Sequence, residues 1–298
     1  MKIFDCFMYS DENMLLDLRL NTLDQFIDKY VIVEAKYTHD GKPKKLNFDI
    51  KDFSKFKDKI EYVVVDKQPP DLIFEKKDDP LNSITEKKII NSIRRDNYQR
   101  NQILSGLNKA ADEDLIIISD LDEIPNLKKL NNSKIKNEVY FFKQKMFYYK
   151  FNLYYENYFW FGSRATKKKN LKSPQWIRNL KSKKYSFWRI DTFFSEKKHQ
   201  NINFIDNGGW HFTCIKSPEE IEKKLLSFAH HVDFENAKLS LDHLKDKIKN
   251  KIVLYDHSLD KKQENKWDSK KKLKKISMDE LPDYINNNKN KFNEWLEE

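Results

Sequence analysis

Three carboxylates follow one apolar run in Leu115-Ile116-Ile117-Ile118-Ser119-Asp120-Leu121-Asp122-Glu123-Ile124-Pro125. Asp120 and Asp122 offer hard oxygen ligands of the kind that suit Mg²⁺ or Mn²⁺. An Asp-x-Asp at a strand exit can hold such a cation against a diphosphate. Its ordinary reading is a solvated turn that caps the strand. The run before it argues for more: a continuous β-branched stretch reads as a strand buried on both faces, and ligands of open α/β sheets sit beyond the carboxyl ends of such strands. Pro125 ends the element sharply.

Two further groups of residues carry chemistry. In Asn207-Gly208-Gly209-Trp210-His211-Phe212 the paired glycines let backbone approach a ligand closely, Trp210 offers a flat face to a sugar ring, and His211 offers an imidazole to a metal or phosphate. A simple strand bulge accounts for the same glycines, and His211 becomes a ligand only if the fold brings it beside Asp122. In Arg94-Arg95-Asp96-Asn97-Tyr98-Gln99-Arg100-Asn101 the pairs Arg95/Gln99 and Asp96/Arg100 each share a helix face. Arg100 either reaches a nucleotide or makes an exposed ion pair of small value with Asp96. Glu34 and Thr38 leave the second strand at the same edge as Asp120, Arg178 can clamp a diphosphate, and His230-His231 with Asp233 is a further polar group.

The elements that must position these residues follow from the pattern. Ile3 to Met8, Tyr30 to Glu34 and Ile60 to Val65 read as short buried strands, with a helix after the Ser10-Asp11-Glu12-Asn13 cap cluster. A long amphipathic helix is predicted from about Ile84 to Ala111, leading into the strand that ends at Asp120. The result is an α/β fold with a mostly parallel central sheet flanked by helices. After Pro125 the aromatic stretch Val139 to Tyr158 predicts long antiparallel strands, with more strands at Tyr185 to Ile190 and Ile202 to Ile215. Ser217-Pro218-Glu219-Glu220 opens a helix. A main domain over residues 1–236 and a Lys-rich, mainly helical extension over 237–298, packed on it, complete the division.

Composition sets limits. With 298 residues, 39% hydrophobic and 14% aromatic, the chain can bury a full core and is not a disordered polymer. Its net charge of +10 favours acidic partners, although Lys167-Lys168-Lys169 and Lys270-Lys271-Lys272 also read as solvated surface. Cys6 and Cys214 lack a partner motif and read as buried reduced thiols. No apolar run approaches the roughly 18 residues that span a bilayer, and the first strand begins too early for a leader, so a cytoplasmic protein with peripheral membrane contact at most is expected.

Over roughly residues 2 to 235 the chain resembles glycosyltransferase family 17, the family of the β-1,4-mannosyl-glycoprotein β-1,4-N-acetylglucosaminyltransferase. The resemblance rests on Phe4-Asp5-Cys6-Phe7 with Glu12, Val33-Glu34-Ala35, Thr38-His39, Gly41-Lys42-Pro43-Lys44, and Arg95, Gln99, Arg100 and Asn101. It continues through Ser119 to Pro125, Gly162-Ser163, Arg178, Gly209 to Phe212 and Ser227-Phe228-Ala229-His230. It implies a GT-A-like fold, a UDP-sugar donor (UDP-GlcNAc expected), an oligosaccharide or glycan acceptor, Mn²⁺ or Mg²⁺, and inversion to a β-linkage. The chain departs from the pattern in lacking the membrane anchor of the animal enzymes, in Ser163 for the usual Thr, and in His231-Val232-Asp233 after His230.

The expected site therefore has Asp120, Asp122 and His211 at the metal. Glu34, Thr38, Arg95, Arg100, Asp120, Arg178, Trp210 and His230 hold the donor. Inversion needs a general base, for which Glu123, Asp206 and Asp233 are the candidates. Two rivals remain at this level. A metal-dependent phosphoesterase or nuclease also uses clustered carboxylates, though two-metal sites need more ligands than this loop supplies. A non-enzymatic basic protein binding glycan or nucleic acid through its aromatic strands is the other; nucleic acid is not the expected partner.

Overall fold

The computed structural model describes residues 1–130, 135–136, 138–185, 189–192, 194–227, 240–257 and 267–298. The strands are β1 (Ile3–Met8), β2 (Lys29–Ala35), β3 (Ile60–Val65), β4 (Leu115–Asp120), β5 (Glu123–Pro125), β6 (Val139–Phe142), β7 (Gln144–Tyr148), β8 (Leu153–Trp160), β9 (Arg164–Lys167), β10 (Ile202–Ile205), β11 (Gly209–Thr213) and β12 (Lys274–Lys275). Helices α1 (Asn13–Leu23), α2 (Leu81–Asn101), α3 (Pro174–Asn179), α4 (Pro218–Ser227) and α5 (Leu241–Lys249) pack around them. The fold is mixed α/β, as the sequence pattern requires.

A seven-stranded sheet runs in the order β10-β6-β9-β4-β1-β2-β3, and only β9 is antiparallel to its neighbours. Its central strands are buried on both faces. Along β4, Leu115 and Ile117 join one core cluster with the α1 leucines, while Ile116 and Ile118 join another with Ile103 and Leu107. That two-sided burial is why the run carries no polar alternation. A second, five-stranded sheet, β12-β8-β7-β11-β5, stands beside the exit of β4.

Several elements differ from the sequence expectation. The helix expected over Ile84 to Ala111 is α2, which stops at Asn101 and tightens into a 3₁₀ turn over Gln102–Leu107. There Gly106 lies so close to β2 that a Cβ would come 2.4 Å from Val31 Cγ1. The aromatic stretch does hold antiparallel strands, β7 against β8, but its first part belongs to the other sheet: the chain breaks at Lys143, whose N–H and C=O bond Ile205 and Gly208, and crosses from the first sheet to the second. The strand expected over Ile202 to Ile215 is likewise two, parted by a turn in which Asn207 and Gly209 take φ of 49° and 126°. Of Tyr185 to Ile190, residues 186–188 lie outside the described residues, and Ile190 begins a 3₁₀ turn. Glu12, not Ser10 or Asp11, stands at the α1 N-cap, without a side-chain capping bond. Cys6 is buried, Cys214 only half-buried, and both are free thiols.

Residues beyond 237 enter the same cores. Leu281, Ile285 and Phe292 join the cluster of the α1 leucines, and Leu244, Val253, Leu254 and Trp267 pack on Met146, Tyr148 and Tyr155. Lys274–Lys275 also adds an edge strand to β8. Among the described residues no helix is long and apolar enough to cross a membrane.

Candidate active site

Strands β4, β1 and β2 end side by side, so the loops after them share one edge. The loop after β4 is held from inside. Asp120 N–H donates to Glu123 Oε2 at 2.8 Å, which closes the turn on itself. Arg19 of α1, fully buried, forks onto Asp5 at 2.6 and 2.8 Å. Its remaining nitrogen donates to the carbonyls of Asp120 (3.0 Å), Leu121 (3.2 Å) and Glu123 (2.7 Å). Those carbonyls leave the sheet ladder as the chain turns, and a buried cation with five donors is the side chain that can satisfy them.

Two arginines converge on Asp120. Arg100 Nη2 lies 3.1 Å from Oδ1 and Arg178 Nη2 lies 2.7 Å from Oδ2. Arg178 also forks onto Glu123 at 2.6 and 3.0 Å and donates to the Gly162 carbonyl. Arg100 is braced by Asp96 at 2.8 Å and by Gln175 at 2.5 Å. Burial alone would push the Asp120 carboxyl up, yet the Arg178 and Arg100 charges hold it well below the usual carboxylate range. Arg178 is delivered by α3, which starts at a Ser173 cap and Pro174. Arg164 ties down its end by donating to the carbonyls of Ile177, Arg178 and Leu180 at 2.5 to 2.8 Å. Burial, with Arg178 and Arg100 nearby, lowers the Arg164 guanidinium to about 9.

Asp122 and His211 meet because β11 pairs antiparallel with β5, setting His211 opposite Glu123, while Phe212 N–H donates to the Asp122 carbonyl at 2.8 Å. Asp122 Oδ1 and His211 Nε2 stand 3.5 Å apart. Burial works against the Asp122 charge, but His211 and then Lys224 keep its carboxyl lowered. The other ring nitrogen, Nδ1, is buried without a hydrogen-bond partner among the described residues, so the imidazole's polar contact is the Asp122 edge. Two glycines make this packing possible. Gly209, at φ 126°, would place a Cβ 2.1 Å from the Ile124 carbonyl, and Gly162 would place one 2.0 Å from Glu123 Oε1.

A divalent cation fits this pair. Two ligand atoms each about 2.1 Å from a cation, at right angles, lie roughly 3 Å apart, close to the Asp122–His211 separation. Among the described residues no group of three or more His, Cys, Asp or Glu gathers as a metal cage. A cation held by Asp122 and His211 would therefore complete its shell from substrate oxygens and water, which is the habit of Mg²⁺.

The other sequence candidates take structural places within or around this cluster. Glu123 is buried and its oxygens are engaged by Arg178, by Asp120 N–H and by Trp160 Nε1 at 2.6 Å. Trp210 points away from His211, as neighbours on a strand must, and its indole donates to the Glu280 carbonyl at 2.7 Å. Asp206 is exposed and pairs with Lys143 at 3.3 Å. Glu34 is buried beneath the β2 exit, accepting from Asn47 N–H at 2.8 Å, Phe48 N–H at 3.1 Å and Tyr62 Oη at 2.8 Å, and pairing with Lys44. Thr38 closes the turn 38–42 through Lys42, and Arg95 holds that turn by donating to the His39 carbonyl at 3.2 Å. His39 reaches the main cluster through Asp96, 3.8 Å away. His230 and Asp233 lie outside the described residues.

The sequence reading missed Arg19 and Arg164. Arg19 had a signal: an arginine amid Leu16, Leu18, Leu20 and Leu23, with an aspartate inside the apolar β1, is a buried pair written as two exceptions to hydrophobic pattern. It also missed Tyr255 and His257 among the aromatic surroundings of His211. Trp160 stacks on that ring with centroids 5.0 Å apart, and Tyr255 and His257 follow beside it.

An α/β sheet whose strand exits gather carboxylates, a histidine and two arginines has its polar groups where such sheets bind ligands. The sequence profile of glycosyltransferase family 17 matches residues 1–297, and the chain belongs to that family. The match runs well past residue 235, through the C-terminal residues that the sequence reading set apart. Among curated proteins the chain finds no match.

Proposed function

We propose that this glycosyltransferase has a GT-A-like fold, depends on a divalent cation, and moves GlcNAc from UDP-GlcNAc to a glycan hydroxyl with inversion to a β-linkage. The observation that carries the reading is the meeting of Asp122 with His211 at the β4 exit, with Arg100 and Arg178 converging on the adjacent Asp120. Asp122 and His211 would hold the cation. When bound, it neutralises charge that builds on the departing diphosphate. Arg100 and Arg178, fixed by Asp96, Gln175 and Glu123, present guanidinium groups to the same charge; arginine forks suit phosphate oxygens, and preorganised donors stabilise charge at little reorganisation cost.

Glu123 serves this arrangement by anchoring Arg178 and Trp160, since its oxygens have no room for a substrate hydroxyl. Asp206 is exposed and occupied by Lys143. Asp233, outside the described residues, is the remaining sequence candidate for the base that takes the acceptor proton as the hydroxyl attacks the anomeric carbon opposite the leaving group. Thr38 and Arg95 shape the neighbouring loop as a further wall of the donor site.

The test is thermal stabilisation of the purified chain by UDP and UDP-sugars, with and without Mn²⁺, beside Asp122→Ala. Stabilisation that requires both the cation and Asp122 is the expected result, and UDP-GlcNAc should exceed other UDP-sugars. Indifference to every nucleotide, or an Asp122→Ala response equal to wild type, would remove the reading.

A further inference from the structure

One side of the Asp122–His211 pair is walled by aromatic rings drawn from two distant parts of the chain. Trp160 and Tyr158 come from β8; Tyr255 and His257 come from the segment after α5. Trp160 stacks on His211 at 5.0 Å with an interplanar angle of 27°. His257 then lies 5.6 Å from Trp160, 5.5 Å from Tyr158 and 4.0 Å from Tyr255. All four residues are half-buried, with the Nε2 edge of the His257 ring turned inward. Trp160 also helps to hold the carboxylate loop, through its indole bond to Glu123.

The wall is anchored from behind. Tyr155, buried, stacks under Tyr158 at 5.3 Å and donates its hydroxyl to Asp256 at 2.8 Å. Asp256, between the two outer rings in sequence, is also held by Lys271 at 2.9 Å. Trp267, buried, packs behind Tyr255 at 5.1 Å. A surface fixed in this way loses little side-chain entropy when a ligand settles on it.

We propose that Tyr158, Trp160, Tyr255 and His257 form a pyranose-binding wall that seats the sugar ring next to the reacting centre. The inference rests on the transferase reading and extends it by giving the C-terminal segment a place in substrate recognition. A pyranose has one face of C–H groups, whose partial positive charge suits the negative face of an aromatic ring, and an equatorial rim of hydroxyls. Tyrosine hydroxyls at the edge of an apolar surface are among the few polar groups such a site needs. The ring can belong to the donor or to the acceptor; the chemistry of the seat is the same, and affinities separate them.

The experiment uses the full chain with Mn²⁺ and four proteins: wild type, Tyr255→Ala, Tyr255→Phe and His257→Gln. Calorimetry measures UDP and UDP-GlcNAc, and saturation-transfer NMR measures a panel of methyl glycopyranosides in the presence of UDP. The wall requires that UDP affinity stay within about twofold, while Tyr255→Ala weakens either the UDP-GlcNAc increment over UDP or a glycoside signal by about tenfold. Loss of the increment assigns the donor sugar, and loss of the glycoside signal assigns the acceptor. Tyr255→Phe, which keeps the ring, should retain most of the binding, and His257→Gln should lose part of it. Both decide the matter should Tyr255→Ala fail to melt cooperatively. Sugar binding unchanged in Tyr255→Ala, or in His257→Gln where that variant decides, overturns the proposal. So does a fall in UDP affinity that parallels the fall for UDP-GlcNAc, because the rings would then hold the base. Wild type that ignores UDP but gives a Tyr255-dependent glycoside signal would sink the transferase reading and leave the wall standing.

Discussion

Asp120 is so placed that each of its oxygens already answers to a different arginine, and one of those arginines also satisfies the buried Glu123. The consequence is that Arg178 cannot be exchanged for another cation. Lysine keeps the charge but offers no fork, so Arg178→Lys should lower kcat by about a hundredfold while leaving a folded protein, as steady-state kinetics with circular dichroism would establish. The same contacts make stability depend on pH. Asp120 is depressed in the folded protein, so its contribution is complete above the unfolded carboxylate value of about 4 and fades as pH falls through the lower folded one. The melting-temperature gap between wild type and Asp120→Asn should thus be open at pH 6 and narrow steadily below about pH 4. A gap independent of pH would show that the arginines do not act through the ionised form.

At the scale of elements, the β4 exit is held by α1, a helix outside the proposed donor contacts. Arg19 sits mid-helix in α1 and holds the β4 exit by three carbonyls; removing its charge strands Asp5 in the core as well. Arg19→Met should cost about 3–5 kcal/mol in urea unfolding, the range for breaking a buried pair. A cost below 1 kcal/mol would mean the loop holds itself. The strands and the Asp120-Leu121-Asp122 exit were legible in the sequence because their cause is local, an apolar run with a hard stop. The partner of Asp122 was legible only as a condition, since the β5–β11 register that supplies His211 joins residues far apart in the chain. Trp210 shows the limit of residue type as evidence. A tryptophan next to a histidine invites a sugar-site reading, yet the two-residue period of a strand sends adjacent side chains to opposite faces. Arg164, Tyr255 and His257 carried no local signal, because their importance comes from long-range packing alone.

For the whole molecule, residues of both sheets and of the chain after 237 meet in one core cluster. Phe292 is fully buried and meets Phe151 edge-on at 5.5 Å, inside the cluster that also holds the α1 leucines. Phe292→Ala should therefore cost about 3–5 kcal/mol, as large core truncations do, and should lower the single melting transition of the entire chain. A separate low-temperature transition with the main one unmoved would instead mark the C-terminal residues as an independent unit. The interlocking also orders events during synthesis. The Asp5–Arg19 pair and β1 to β4 leave the ribosome early, but His211 and the Phe292 packing arrive only after much more chain has been made. At typical translation rates the interval is on the order of ten seconds. Until β11 has been made, a nascent chain carries the carboxylate loop without its histidine partner, so the Asp122–His211 pair is assembled late from residues nearly ninety positions apart.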